Sequence, residues 1–282
     1  MQANGIPSDL RAQAAEMGLF GYAIPQEWGG LGLDLAQDVE LAMEFGYTSL
    51  ALRSMFGTNN GIAGQVLVEF GTDEQKEAWL SRIASGEVVA SFALTEDGAG
   101  SNPAGLRTKA VADEDDWVIS GEKRYITNAP DAHIAVIMAR TSKEALPKNA
   151  HVSAFIVPMD TPGITVGKSD KKMGQGGSHI ADIIMEDVYV PGEALLGGEE
   201  GKGFAVAMQS LDNGRLSVGA AATAYAKRAL DTAVRYANER KAFGEPIANF
   251  QLIQAMLADS ETEIYAAEAM MADVTARAEL VR

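Results

Sequence analysis

Val88-Val89-Ala90-Ser91-Phe92-Ala93-Leu94-Thr95-Glu96-Asp97-Gly98-Ala99-Gly100-Ser101-Asn102 is the stretch at which the apolar period of the chain changes. Upstream, from Ser8 to about Gly86, apolar residues recur at helical spacing. From Val88 onward they fall in short runs rich in β-branched residues, the pattern of strands. The predicted strands are Val88 to Thr95, Leu106 to Ala112, Trp117 to Gly121, Ile134 to Arg140, Val152 to Pro158 and Ile180 to Val190. Asp113-Glu114-Asp115-Asp116 is a polar turn between two of them. No helical pattern interrupts these runs, so an antiparallel barrel or sandwich of about 100 residues is expected.

Helical blocks lie on both sides. Ser8 reads as an N-cap, with Leu10, Ala14 and Met17 on one face until Gly18 ends the run. Leu35, Val39 and Met43 repeat at every fourth position and stop near Gly46. Thr72-Asp73-Glu74-Gln75 reads as a capping box ahead of Trp79, Leu80 and Ile83. Pro25-Gln26-Glu27-Trp28-Gly29-Gly30 is a turn-rich loop. After the breaker Gly197-Gly198-Glu199-Glu200-Gly201-Lys202-Gly203, helices resume over Leu216 to Arg240 and Phe250 to Arg282. Gly219, Ala220, Ala221 and Ala222 are small enough to allow close helix packing. The expected fold class is α+β, with an N-terminal helical domain at 1–87, a central antiparallel β domain at 88–195 and an incomplete C-terminal helical bundle at 196–282. Helical periodicity persists to Arg282, so a chain truncated at its C-terminus is expected.

Composition narrows the function. The 282 residues are 47% apolar and 22% charged, an ordinary globular balance, with a net charge of −16. A surface this acidic repels phosphate backbones, which argues against nucleic acid as a partner. The absence of cysteine rules out disulfides, thiolate metal sites and a cysteine nucleophile. His133, His151 and His179 share no metal-ligand spacing, and Met270-Met271 reads as core packing. No apolar run reaches the roughly 18 residues of a membrane span. Met1-Gln2-Ala3-Asn4-Gly5 lacks the basic and apolar regions of a secretory signal, so a cytoplasmic location is expected.

Three segments have the makings of a site. Phe92 to Asn102 carries a strand into a loop with two glycines and two hydroxyl residues, where exposed backbone N–H groups can cradle phosphate or carbonyl oxygens. It matches neither the Walker pattern nor G-x-G-x-x-G, and read alone it is equally a polar turn. Gly121-Glu122-Lys123-Arg124-Tyr125-Ile126-Thr127-Asn128 places an aromatic and a hydroxyl residue at a strand end, suited to flanking a planar ring, or is simply a strand closing on an asparagine turn. Arg240-Lys241-Ala242-Phe243-Gly244-Glu245-Pro246-Ile247-Ala248-Asn249-Phe250-Gln251 is a helix C-terminus, a turn and the next helix start, read alone as a helical hairpin turn in which Phe243 packs inward and Arg240 is a solvated helix-end cation stabilised by the dipole.

Taken together, the order and spacing of these segments resemble the acyl-CoA dehydrogenase family. Its signatures run A-L-T-E-P-G-A-G-S-D, then G-x-K-x-W-I-T-N, then R-x-x-F-G-x-P-I-x-x-F-Q. Pro25 to Gly32, Phe70 to Gln75 and Leu211 to Arg215 also match. The resemblance implies FAD as cofactor. Phe92, Leu94 and Thr95 would line the flavin, Gly100 and Ser101 would meet its pyrophosphate, Tyr125 would stack by the ring and Thr127 would bond near N5. Arg240, Phe243 and Gln251 would reach the FAD of a neighbouring subunit in a homotetramer built as a dimer of dimers. Ser101, Asp212 and Arg215 would face the acyl-CoA. Three positions depart from the pattern. Asp97 stands for Pro, Asn102 for Asp and Tyr125 for Trp, and Asp97 places negative charge beside a phosphate loop.

The family's reaction is α,β-dehydrogenation, in which a carboxylate takes the α-proton of an acyl-CoA while the β-hydrogen leaves as hydride to flavin N5, with an electron-transfer flavoprotein as final acceptor. In most members the base is a glutamate in a downstream E-G-T-like segment, so it is expected outside this chain. A minority carry it on the helix near Leu211, where Gly214 stands here. Glu96 is read as structural, and no residue is assigned as the base. A role in fatty acid metabolism follows from the resemblance. The alternatives are a non-catalytic FAD- or CoA-binding subunit of a heteromeric enzyme, and a same-fold acyl-CoA oxidase or flavin monooxygenase.

Overall fold

The computed structural model describes residues 5–279. Met1 to Asn4 and the end of the predicted last helix, 280–282, lie outside the described residues. The chain forms two compact units, Met1–Leu33 with Ala51–Asn213, and Asp34–Leu50 with Gly214–Arg282.

The first unit opens with α1, Ser8–Glu16. Pro7, not Ser8, occupies the cap position, and of the expected apolar face only Ala14 is buried while Leu10 and Met17 are exposed. Gly18 ends the run with φ +74°. Helices α3 (Leu50–Gly57), α4 (Gln65–Phe70) and α5 (Asp73–Ala84) follow, with a π-helical turn, Thr58–Gly64, between α3 and α4. The capping box of α5 is present, Thr72 accepting from Gln75 N–H and Gln75 from Thr72 N–H. The π turn was not foreseen. It presents two successive fully buried amides to two backbones: Asn59 accepts from Ala90 N–H and donates to Val88, while Asn60 accepts from Ala23 N–H and donates to Leu19.

The strands are β1 (Ala90–Ala93), β2 (Lys109–Asp113), β3 (Asp116–Thr127), β4 (Ile134–Arg140), β5 (Val152–Pro158), β6 (Ile164–Val166) and β7 (Ile180–Val190). β4, β5 and β7 keep their predicted bounds. β1 is shorter, β3 runs six residues past Gly121, and β6 was not expected. The α–β–α order holds, but the sheet is mixed instead of wholly antiparallel. β1 and β4 pair in parallel, and β2 touches β4 in the same sense, whereas β2–β3, β3–β7, β4–β5 and β6–β7 are antiparallel. The cause is the β2–β3 hairpin, which lies inside the β1-to-β4 connection and lets β4 re-enter in the direction of β1.

Both faces of β4 are covered, which accounts for its uninterrupted apolar run. Ile134, Val136 and Met138 pack with Leu67, Leu80 and Ile83 of the helices, and Ala135, Ile137 and Ala139 pack with Phe155, Ile183 and Val188.

The second unit holds α2 (Leu35–Phe45), the later part of α6 (Gly203–Glu239), the small hairpin of β8 (Lys241–Ala242) and β9 (Glu245–Pro246), and α7 (Gln251–Glu279). α2 is capped by Asp34, whose carboxylate accepts from Gln37 N–H. Val39, Ala42 and Ala220 form its core with Met271. Close approach depends on glycine, since a Cβ on Gly46 would stand 2.1 Å from that of Ala224. An apolar groove of ≈ 780 Å³ runs between α6 and α7, lined by Leu230, Ala233, Ile253 and Leu257.

Candidate functional site

The site begins with strand parity. Along β3, Trp117, Ile119 and Lys123 share one face, and all three are buried. Continued alternation would bury Tyr125 as well. Instead a bulge intervenes: Lys123 faces Ile183 and Ile126 faces Ala181, so Arg124 and Tyr125 together oppose Asp182 alone. Tyr125 takes φ +58°, its N–H donates to Asp182 Oδ1 at 3.1 Å, and its ring is 60% exposed. Ile126 then returns to the core. The bulge turns the aromatic ring out beside the exit of β1.

Two bonds join that exit to the end of β3. Arg124 N–H donates to the carbonyl of Thr95 at 2.8 Å, and Ser91 Oγ donates to the carbonyl of Thr127 at 2.9 Å. The structure therefore brings together Phe92, Leu94, Thr95, Tyr125 and Thr127. Phe92, Thr95 and Thr127 are half-buried. Leu94 differs from expectation, because its side chain belongs to the core and only its backbone remains to line a ring. The hydroxyls of Thr95, Thr127 and Ser101 have no protein hydrogen-bond partner among the described residues, and Arg124 Nε is buried without one.

Beyond Thr95, Glu96 and Ala99 exchange backbone hydrogen bonds to close a turn. Gly98 and Gly100 border open space, and Ser101 is exposed. Asp97 carries its charge toward Arg124 Nη1 at 3.2 Å, and the same guanidinium lies 5.1 Å from the centre of the Tyr125 ring. The departure at Asp97 thus comes with its own counter-ion.

Beneath the loop is a buried ion pair. Lys123 Nζ, fully inaccessible, stands 2.7 Å from Glu96 Oε1 and also donates to the Leu94 carbonyl at 3.3 Å. Glu96 accepts from the N–H groups of Arg107 at 2.5 Å and Thr108 at 3.0 Å. Burial pushes the Lys123 ammonium down to about 8, against the opposing pull of Glu96. Burial alone would raise the Glu96 carboxyl, but the charge of Lys123 and the bonds from Lys123, Thr108 and Arg107 outweigh it and hold the group below its ordinary value. Glu96 is structural, as its sequence context suggests. Lys123 was missed, although a lysine at an inward-facing strand position was the available signal.

Asp212, in the first unit, and Arg215, in the second, are exposed along α6. Within the second unit, Arg240, Phe243 and Gln251 share one turn, where the carbonyl of Arg240 accepts from Ile247 N–H. Phe243 does not pack inward. It adopts φ +53° and is 98% exposed, touching Phe250 edge-on at 6.3 Å between ring centres. Gly214 has open space where a side chain would stand. The three histidines serve local structure: His133 and His151 accept from Val89 and Leu146 N–H, and His179 meets Asp131 at 2.7 Å. Among the described residues no group of three or more metal-ligating side chains converges, and no helix is long and apolar enough to cross a membrane.

Family models match along the chain: the N-terminal domain of acyl-CoA dehydrogenase at 1–87, the middle domain at 91–188 and the C-terminal domain at 201–280. The chain belongs to the acyl-CoA dehydrogenase family. It is 42% identical over 270 residues to the probable acyl-CoA dehydrogenase YngJ of Bacillus subtilis (strain 168), covering 96% of this chain and 70% of that one. It is 41% identical over 243 residues to the mitochondrial short-chain specific acyl-CoA dehydrogenase of Homo sapiens, covering 86% of this chain but 58% of the human one. The solved acyl-CoA dehydrogenase of Bacillus anthracis, complexed with FAD, superposes with a TM-score of 0.86 at 38% identity, covering 93% of this chain and 44% of that one.

Proposed function

We propose that this chain binds FAD and forms part of an enzyme that dehydrogenates an acyl-CoA thioester between its α and β carbons. One observation carries the reading: the exit of β1 and the bulge of β3 are tied together at Thr95 and Arg124, with unengaged hydroxyls at Thr95 and Thr127 and an exposed Tyr125 ring beside them. A planar heteroaromatic edge rich in acceptors and donors suits that combination. The open backbone at Gly98 and Gly100, with Ser101, suits a pyrophosphate.

When bound, FAD supplies the acceptor for the hydrogen and electron pair that leave the β carbon. The protein's part is orientation. Thr95 and Thr127 hold the ring by its polar edge, Tyr125 covers its flank, and Gly100 and Ser101 bind the phosphates. From the family resemblance, Ser101 and Asp212 are assigned to the thioester and its CoA portion, and Arg215 carries the same assignment within its own unit. The thioester carbonyl must be polarised by hydrogen-bond donors in a desolvated site, which acidifies the α-proton. The acceptor of that proton is assigned to no residue of this chain, because Glu96 is already engaged by Lys123, Arg107 and Thr108, and Gly214 has no side chain.

Arg240, Phe243 and Gln251 are read as residues lent to the cofactor of a neighbouring protomer in a homotetrameric dimer of dimers. Phe243 is held almost wholly in solvent at positive φ, its ring touching only Phe250 edge-on among the described aromatic pairs, which leaves its faces open to such a partner. The division into domains at 1–87, 88–195 and 196–282, the cytoplasmic location, a role in fatty acid metabolism and electron-transfer flavoprotein as acceptor belong to the same reading.

The test is spectroscopic. Purified protein should be yellow, and in the full-length protein, which carries the base that this chain lacks, the flavin absorbance should bleach anaerobically with one of butyryl-, octanoyl- or palmitoyl-CoA. Slow recovery in air supports a dehydrogenase over an oxidase. A colourless preparation that takes up no added FAD overturns the reading.

A further inference from the structure

We propose that the buried Glu96–Lys123 pair is a positioning element, fixing the loop 95–101 in the conformation that receives the flavin; this rests on the flavin reading above. The pair joins three segments at one carboxylate. Lys123 comes from β3, Glu96 from the exit of β1, and the N–H groups of Arg107 and Thr108 from the entry to β2. The consequence falls on Thr95. Its own carbonyl is held by Arg124 N–H, the carbonyl before it by Lys123 Nζ, and the residue after it by three hydrogen bonds to its carboxylate. The Thr95 hydroxyl is left without a protein partner among the described residues. Glu96 also closes the turn that presents Gly98 and Gly100, through its backbone exchange with Ala99.

Stability alone is a poor reason for such a pair. Placing two charges in the interior costs desolvation, and apolar residues of similar volume often serve a core as well or better. An ion pair does what apolar packing does not: it fixes direction and register, here of the backbone on either side of Thr95.

The test uses the FAD-loaded full chain, the double variant Glu96→Gln/Lys123→Met and the single variant Glu96→Asp. The double variant removes both charges at nearly constant volume and so leaves no stranded ion. Glu96→Asp keeps the charge but withdraws it by one methylene from Arg107 and Thr108. Far-UV circular dichroism follows the fold, titration gives the FAD dissociation constant, and visible circular dichroism reports the asymmetry around the bound ring. The expected result for folded variants, well below their melting points, is FAD binding weakened about tenfold or more, with an altered visible band. Wild-type affinity and a wild-type visible band in the folded double variant overturn the inference while leaving the flavin reading intact. If the double variant does not fold, Glu96→Asp decides on the same two readouts. A wild-type chain that binds no FAD refutes the flavin reading, and the inference falls with it.

Discussion

The backbone N–H of Arg124 donates to the carbonyl of Thr95 across 2.8 Å, making the exit of one strand and the bulge of another a single structural unit. Neither strand pairs with the other along its length, since β1 is bonded to β4 and β3 to β2 and β7. Their shared edge exists because the bulge turns residue 124 toward residue 95.

From this it follows that the two hydroxyls can be removed without disturbing the frame. Thr95→Val and Thr127→Val keep side-chain size and leave intact the backbone bonds that Thr95 and Thr127 accept. Each should weaken FAD binding by about three- to tenfold, the worth of one hydrogen bond, with little change in melting temperature. Fluorescence titration with FAD measures this.

Asp97 is highly exposed, so its bond to Arg124 contributes little to stability. Its effect should be electrostatic instead. Asp97→Asn should bind FAD at least as tightly as wild type at low salt, and the two should converge as salt is raised past about 0.5 M, where the Debye length shrinks to a few ångströms. FAD titrations across ionic strength check both halves.

Gly46 admits no side chain. A methyl group there would overlap the Ala224 side chain and approach its backbone to 2.7 Å. Gly46→Ala should therefore destabilise the unit built from α2, α6 and α7 by about 1–3 kcal/mol. Urea unfolding monitored by far-UV circular dichroism provides the measurement.

Lys123 gives the protein an alkaline signature. Folded, it releases its proton near 8, whereas an unfolded lysine does so near 10.4. Between those values the unfolded chain holds more protons, so this group's contribution to unfolding free energy rises with pH across that window. The melting temperature of wild type minus that of Lys123→Met should accordingly rise from pH 8 to pH 10. A flat or falling difference would contradict the assignment.

Asn59 is inaccessible and serves three backbone groups, on Ile83, Val88 and Ala90. Asn59→Leu fits the volume but leaves the Val88 carbonyl and the Ala90 N–H without this partner, while Ile83 keeps its bond from Gly86 N–H, and should cost about 3 kcal/mol. Thermal unfolding of the variant tests it.

What could be read from the residues alone follows from how locally each feature is encoded. Thr72 and Gln75 sit three apart and satisfy each other, so their box was legible. The same holds for the acidic turn at 113–116 and for β4, β5 and β7, whose runs are bounded by polar residues. The parallel pairing of β1 with β4 was not legible, because it depends on where a hairpin 15 to 35 residues away is placed. Nor was the outward turn of Tyr125, because a bulge is a mismatch between two strands and shows in neither alone. Leu10 and Met17 mislead for the opposite reason: their spacing is helical, but no partner surface covers them within the described residues. The candidate site was legible as three motifs, whereas the ion pair under the first was visible only as a lysine out of place.

The bulge in β3 also sets what kinds of change this segment tolerates. Arg124 and Tyr125 occupy two positions against one on the neighbouring strand, and that bulge lets Lys123 and Ile126 both point inward with two residues between them. Substitutions at 124 and 125 leave this arrangement standing. Deleting either one would restore plain alternation, leaving Lys123 and Ile126 inward but removing the extra residue that turns Tyr125 out at φ +58° and aims the Arg124 N–H at Thr95. The spacing between those two residues is thus held more tightly than the identity of what lies between them, so natural or engineered variants should differ here in lettering and hardly ever in length.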